Sequence, residues 1–184
     1  LLDICRSLPD NADINMNTTE SRITLKAAKS RFNLQTLPAA DYPVMTKTQG
    51  ATTLVVLAQR ELKDLLKQVE FAMAQQDIRY YLNGMLFVLE GQRIIAVATD
   101  GHRLAYSHVD LDKAPSGNGQ KQEVIIPRKT ILELQHLLED SEDPVVVSLA
   151  SNQVKFNFGD VELLSKLVEG KFPDFQRVIP KGQN

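Results

Sequence analysis

The string Thr99-Asp100-Gly101-His102-Arg103-Leu104 sets a carboxylate, an imidazole and a guanidinium within four positions, the residue types of general acid–base chemistry. A small hydrolase using Asp100 and His102 is one reading of it. The other is structural: Asp-Gly between two alternating strands supplies the positive φ that both central residues of a two-residue type I′ hairpin turn require. The turn explains the string more economically, because a catalytic pair needs partners. His108 and His136 stand at no spacing to His102 that suggests a zinc or triad set, and Cys5 lies far off in the chain. The nine Gly form neither a Gly-x-Gly-x-x-Gly nor a Gly-Lys-Ser/Thr string, which argues against nucleotide-dependent catalysis. The acidic pairs Glu139-Asp140 and Glu142-Asp143 fall in a turn after a helix and read as solvated charge.

Cations offer a different chemistry. A helix is expected from about residue 60 to 75, with Leu62, Leu65, Leu66, Val69, Ala72 and Met73 buried and Arg60, Lys63 and Lys67 gathered on the opposite side. Such a face can follow a phosphate backbone or serve as an ordinary solvated surface diluted by Asp64 and Glu70, and both readings stand. Arg128 and Lys129 precede or open a second helix, where Thr130 and Glu133 have capping-box spacing. Cations there oppose the helix dipole, so something other than helix stability accounts for them. Gln76-Asp77-Ile78-Arg79-Tyr80-Tyr81 puts a base beside two aromatics in a loop, a set that can stack on nucleobases or can begin a strand.

These residues need a scaffold, and the composition allows one. Of 184 residues, 43% are hydrophobic and 24% charged, with 21 Lys and Arg against 23 Asp and Glu and a net charge of -2. That describes a soluble globular chain of one or two domains with no whole-chain bias toward nucleic acid. A lone Cys5 rules out an internal disulfide and favours a reducing, cytoplasmic setting. No apolar run approaches the ~18 residues of a membrane span, so no membrane partner is expected.

The order of elements repeats. Residues 1–8 read as a helix already under way, stopped by Pro9, and residues 12–16, 22–25 and 31–37 read as three strands, the first two joined by a turn at 17–21. Helix and three strands return at 131–138, 144–149, 154–158 and 161–167, an offset of about 130. A second offset of 69 lays the strand and helix at 57–69 onto 126–138, and strands at 85–89, 94–99 and 103–108 follow the earlier helix. The unit is therefore strand, helix and three antiparallel strands, which makes the class α+β. Residues 52–180 hold two units, a complete domain, and residues 1–43 fit the end of another. Residues 44–51 form the linker, and residues 113–121, rich in Pro, Ser, Asn and Gly, separate the two halves.

Four strings resemble the bacterial sliding clamp family, the beta subunits of DNA polymerase III: Arg79-Tyr80-Tyr81-Leu82-Asn83-Gly84-Met85-Leu86-Phe87, Ala98-Thr99-Asp100-Gly101-His102-Arg103-Leu104-Ala105, Pro127-Arg128-Lys129, and Ser165-Lys166-Leu167 with Phe172-Pro173-Asp174-Phe175. Arg31-Phe32-Asn33-Leu34 and Thr36-Leu37-Pro38-Ala39-Ala40-Asp41 resemble the end of that family's first domain. The resemblance implies a DNA clamp fold with antiparallel sheets outside and helices facing a DNA pore. It also implies a non-catalytic processivity factor, with no cofactor or metal, that closes as a homodimeric ring around duplex DNA in the cytoplasm. The polymerase III catalytic subunit, other polymerases, the clamp loader and repair proteins would dock on it. Arg60, Lys63, Lys67, Gln76, Arg79, Tyr80, Tyr81, Arg128 and Lys129 would face DNA. Leu82, Thr99, Gly101, His102, Arg103, Leu104, Pro173, Arg177 and Val178 would form a pocket for a short extended peptide. Phe32 and Leu34 would lie at the ring's subunit interface. A third domain, expected beyond Asn184, would supply the pocket's other wall and the ring partner surface.

Overall fold

The computed structural model describes residues 1–42, 44, 53–116 and 119–179. The chain divides into two units, Leu1–Thr46 and Lys47–Asn184; most of the expected linker lies outside the described residues. The first unit is α1 (Leu2–Ser7) followed by an antiparallel meander of β1 (Ile14–Thr19), β2 (Arg22–Ala27) and β3 (Ser30–Gln35). The first hairpin is tighter than the expected turn at 17–21. Asn17 and Thr18 pair with Thr24 and Ile23, and Thr19 with Arg22, leaving only Glu20 and Ser21 to turn. Polar residues there mark an exposed strand, since every residue of β1 is exposed.

The second unit runs β4 (Thr53–Ala58), α2 (Gln59–Lys67), β5 (Gly84–Glu90), β6 (Arg93–Thr99), β7 (Leu104–Asp110), then β8 (Gln122–Pro127), α3 (Arg128–Leu137), β9 (Pro144–Leu149), β10 (Gln153–Phe158) and β11 (Val161–Lys166). The two copies of the expected unit are present, but they trade their leading strands. The antiparallel sheets are ordered β7-β6-β5-β8 and β11-β10-β9-β4, so β8 pairs with β5 of the first half and β4 with β9 of the second. This exchange welds the halves into one core. Leu62 and Leu66 of α2, Ile131 and Leu134 of α3, and Phe156 of β10 are fully enclosed in it. At Gly84 the strands approach so closely that a Cβ would lie 2.5 Å from the Ile126 carbonyl oxygen.

Sheet β7-β6-β5-β8 is covered on both faces, which explains the uninterrupted run Ile94-Ile95-Ala96-Val97-Ala98. Ile94, Ala96 and Ala98 join Met85 and Phe87 in the helix-side core, whereas Ile95 and Val97 join Leu86 and Val88 in a second cluster. That second cluster is where the candidate site lies.

Helix boundaries differ from expectation. α2 ends at Lys67, well short of residue 75, and a 3-10 turn at Glu70–Ala72 follows. Val69, Ala72 and Met73 are nonetheless buried, so apolar spacing continues beyond the helix and conceals its end. At the start of α2 the Glu61 carboxylate accepts the Ala58 amide (2.9 Å), and the Gln59 and Arg60 amides donate to the carbonyls of Asp143 and Ser141 (2.9 and 3.1 Å). The turn after α3 thus caps α2. α3 begins at Arg128, directly on β8, which puts Thr130 inside the helix. Its hydroxyl bonds Ser165 Oγ at 2.7 Å, and the expected capping box with Glu133 is not formed. In the connector between the halves, Ser116 docks on the free edge of β4: its amide donates to the Leu54 carbonyl (2.9 Å) and its hydroxyl accepts the Leu54 amide (2.8 Å). Among the described residues no helix is long and apolar enough to cross a membrane.

Candidate functional site

The Thr99 to Leu104 string is a loop of a different kind from the expected type I′ turn. Thr99 pairs with Leu104, so residues 100–103 bridge β6 and β7. Only Gly101 among them has positive φ, +90°. Asp100 organises the bend through its side chain: Oδ1 accepts the amides of His102 and Arg103 (2.9 and 3.0 Å), and Oδ2 accepts Arg103 Nε (3.0 Å). The two amide bonds, His102 first, hold the Asp100 carboxyl below its ordinary range. Thr99 Oγ1 completes the loop, donating to the Arg103 carbonyl (2.7 Å) and accepting the Gly101 amide (3.1 Å). The carboxylate is committed to backbone and to Arg103 rather than to the His102 ring, so the string does not form the Asp–His pair of a hydrolase. Among the described residues no group of three His, Cys, Asp or Glu is arranged to hold a metal.

A second loop, residues 68–83, packs against the first. Arg79 grips Asp77 as a fork, Nε to Oδ1 at 3.0 Å and Nη2 to Oδ2 at 2.8 Å, while the Arg79 amide also donates to Oδ1 at 2.7 Å. These bonds hold the Asp77 carboxyl at about 2 and raise the Arg79 guanidinium. Arg79 Nη2 reaches across to the Asp100 carbonyl (3.2 Å), with its guanidinium resting on Gly101. Asn83 anchors the base of the loop, its Oδ1 accepting the Asp77 amide and its Nδ2 donating to the Asp77 carbonyl, both at 2.9 Å.

Beneath the two loops lies the second apolar cluster. Leu82, which is 1% exposed, packs there with Phe172 and Phe175, and Leu104 joins from β7. Phe175 opens a 3-10 turn (Phe175–Arg177), and its ring stands 6.1 Å from that of Tyr106 on β7. The same turn carries Arg177, paired with Asp174 (2.9 Å), and Val178, which is 64% exposed. Leu82, Thr99, Gly101, Arg103 and Leu104 are therefore joined directly by bonds and packing, and Pro173, Arg177 and Val178 flank Phe172 and Phe175 in the adjoining segment. His102 sits exposed on the loop. A cleft of about 350 Å³ between the loops is lined by Phe71, Met73, Asp77, Asp100, His102 and Arg103, and the Arg103 guanidinium lies 5.7 Å above the Phe71 ring. Asp77, Phe71 and Phe175 were not singled out from the sequence. The spacing Asp77-x-Arg79, one carboxylate two positions from a fork donor, is the one sequence signal that could have pointed to the ion pair.

The basic residues fall into two groups. Arg60 pairs with Glu142, and the Lys63 ammonium donates to the Leu138 carbonyl just past α3 (2.8 Å), so both tie α2 to the turn that follows α3. Among the described residues, Lys67, Arg128 and Lys129 have no ion-pair partner, and Lys67 and Lys129 are exposed. Gln76 has φ +55° in the exposed part of the 68–83 loop. Tyr80 is 58% exposed and meets Tyr81 edge to face at 5.9 Å. In the first unit, Phe32 and Leu34 are half-buried on one face of β3, an edge strand of its sheet.

A doubled strand-helix-three-strand domain with exchanged leading strands and an apolar patch on the far side of one sheet defines a sliding-clamp fold. The family model for the central domain of the DNA polymerase III beta subunit matches residues 56–174, and that for its N-terminal domain matches residues 1–46. This chain belongs to the DNA polymerase III beta subunit family. The beta sliding clamp of Pseudomonas putida is 46% identical over 99% of the chain and that of Escherichia coli 43% identical over 97%; the chain spans 48% of each. The solved DNA polymerase III subunit beta of Pseudomonas aeruginosa superposes over the whole chain with a TM-score of 0.85 at 44% identity, the chain covering 49% of it. A sliding clamp from the same organism bound to griselimycin matches 98% of the chain with a TM-score of 0.81 at 43% identity, 48% of that clamp being covered. The chain thus spans about half the length of the curated relatives it matches.

Proposed function

We propose that this chain acts within a bacterial sliding clamp, a non-catalytic processivity factor that rings duplex DNA in the cytoplasm and docks replication and repair proteins through a peptide pocket. The observation that carries the reading is the grouping of Leu82, Thr99, Gly101, Arg103 and Leu104 around one apolar patch in a member of this family. Extended peptides from the polymerase III catalytic subunit, other polymerases, the clamp loader and repair proteins would seat apolar side chains against Leu82 and Leu104, with His102, Arg103 and Arg177 at the rim. Residues 1–43 contribute part of the first domain, 44–51 the linker and 52–180 the second domain. In the homodimeric ring, Phe32 and Leu34 on β3 would meet the other subunit. Sliding needs contact that ignores sequence, and the unpaired Lys67, Arg128 and Lys129, together with Gln76, Arg79, Tyr80 and Tyr81, would supply it to the phosphate backbone. Arg60 and Lys63 contribute less directly, because each already holds a partner.

A fluorescent peptide of the Gln-Leu-x-Leu-Phe type tests the pocket by anisotropy. Weak binding to this chain is expected, lowered further by His102→Ala or Arg177→Ala. Binding that ignores both substitutions overturns the assignment.

A further inference from the structure

Arg79 and Asp77 together brace the loop that forms the pocket. The fork between them is bidentate, the Arg79 amide adds a third bond, and the guanidinium then turns its Nη1/Nη2 edge to the one residue of the neighbouring loop that lacks a side chain. A Cβ at Gly101 would stand 2.9 Å from Arg79 Nη1 and 3.0 Å from Nη2, closer than carbon and nitrogen tolerate, and Gly101 is also at φ +90°. Nη2 adds a bond to the Asp100 carbonyl at 3.2 Å. The loop of residues 100–103 is otherwise built from its own side chains, Thr99 and Asp100, and its backbone meets the 68–83 loop at this guanidinium, while the Arg103 side chain lies over the Phe71 ring.

We propose that Asp77 is a positioning residue for peptide docking: it orients Arg79 as a strut against Gly101 and the Asp100 carbonyl, and so fixes the loop that carries His102 and Arg103. This rests on the docking function proposed above. Preorganisation is the physical content. A loop already held in its bound shape loses less conformational entropy when a peptide arrives, so releasing the strut weakens binding while leaving the folded unit intact. Asp77 and Arg79 are partly exposed, and the pair adds little to global stability.

The test is a double-mutant cycle on the whole chain with the same fluorescent peptide. Asp77→Asn and Arg79→Met, which each break the strut without touching the pocket backbone, are each expected to weaken binding about five-fold, the scale of one well-placed exposed ion pair. Because both act on one contact, the double variant should lose about as much as either alone rather than the product, with an unchanged thermal midpoint. Multiplying effects, or affinities equal to the parent chain, overturn the strut. A peptide-independent measurement separates this inference from the docking reading. Hydrogen exchange at the His102 and Arg103 amides should quicken about five-fold in Asp77→Asn, and unchanged exchange overturns the inference whether or not the parent chain binds peptide. Exchange that quickens in a chain that binds no peptide leaves the strut in place as a loop brace and overturns its part in docking.

Discussion

The two halves of the second unit follow one plan and differ in their connections. In the first half, residues 68–83 join helix to sheet and residues 100–103 join the last two strands; in the second, residues 138–143 and the pair Gly159-Asp160 make the same joins. The short connections serve the fold: the turn after α3 supplies the carbonyls that cap α2, and Gly159 takes φ +49° in a tight hairpin. The long ones leave the plan and meet each other at Arg79 and Gly101, beside an apolar patch. On the proposed docking function, a duplicated scaffold keeps one core and places binding residues in the long connections of one half and in the segment after the last strand, since a longer loop costs the fold little.

If the halves share one core, damage on either side should be equally severe. Leu66→Ala in α2 and Leu134→Ala in α3 remove side chains with no exposed surface, and each should cost about 2–5 kcal/mol in a single cooperative denaturant transition. Two separated transitions would break the comparison, because the exchange of β4 and β8 leaves neither half a sheet of its own. A smaller effect is expected where α2 is tied to the turn after α3. Lys63→Met removes the donor to the Leu138 carbonyl and should cost about 1 kcal/mol by the same denaturation. The smallest is an acid dependence confined to the first half. Asp77 titrates at about 2 against an ordinary 3.8, so its contribution is complete above about pH 4 and is lost as pH falls through 2. Exchange of the Arg79 amide, which donates to Asp77, should quicken over that range in the parent chain and not in Asp77→Asn.

The sequence carried the scaffold further than the site. An offset of 69 placed β4 and α2 on β8 and α3, because strand-helix order and apolar spacing are local properties. The exchange of leading strands was invisible to it, since β4 has the same pattern whether it pairs with β5 or β9. The end of α2 was hidden because Val69, Ala72 and Met73 continue the apolar spacing through a 3-10 turn. Asp-Gly suggested a tight hairpin turn, but the Asp100 side chain bonds the His102 and Arg103 amides and widens the connection to residues 100–103. Family likeness, not spacing, relates Leu82, Leu104 and Arg177. The apolar floor around Phe175 came only from tertiary packing, and so did the engagement of Lys63 with the Leu138 carbonyl.

The central claim is that docking belongs to the long connections of the first half together with the segment 172–178 packed against them. Amide chemical-shift mapping of the isotopically labelled chain with the Gln-Leu-x-Leu-Phe peptide tests it most directly. Shifts should concentrate at Leu82, Gly101, His102, Leu104 and Val178, with Gly159 and Asp160 unmoved. Shifts centred on the second half, or spread evenly over both, would contradict the account.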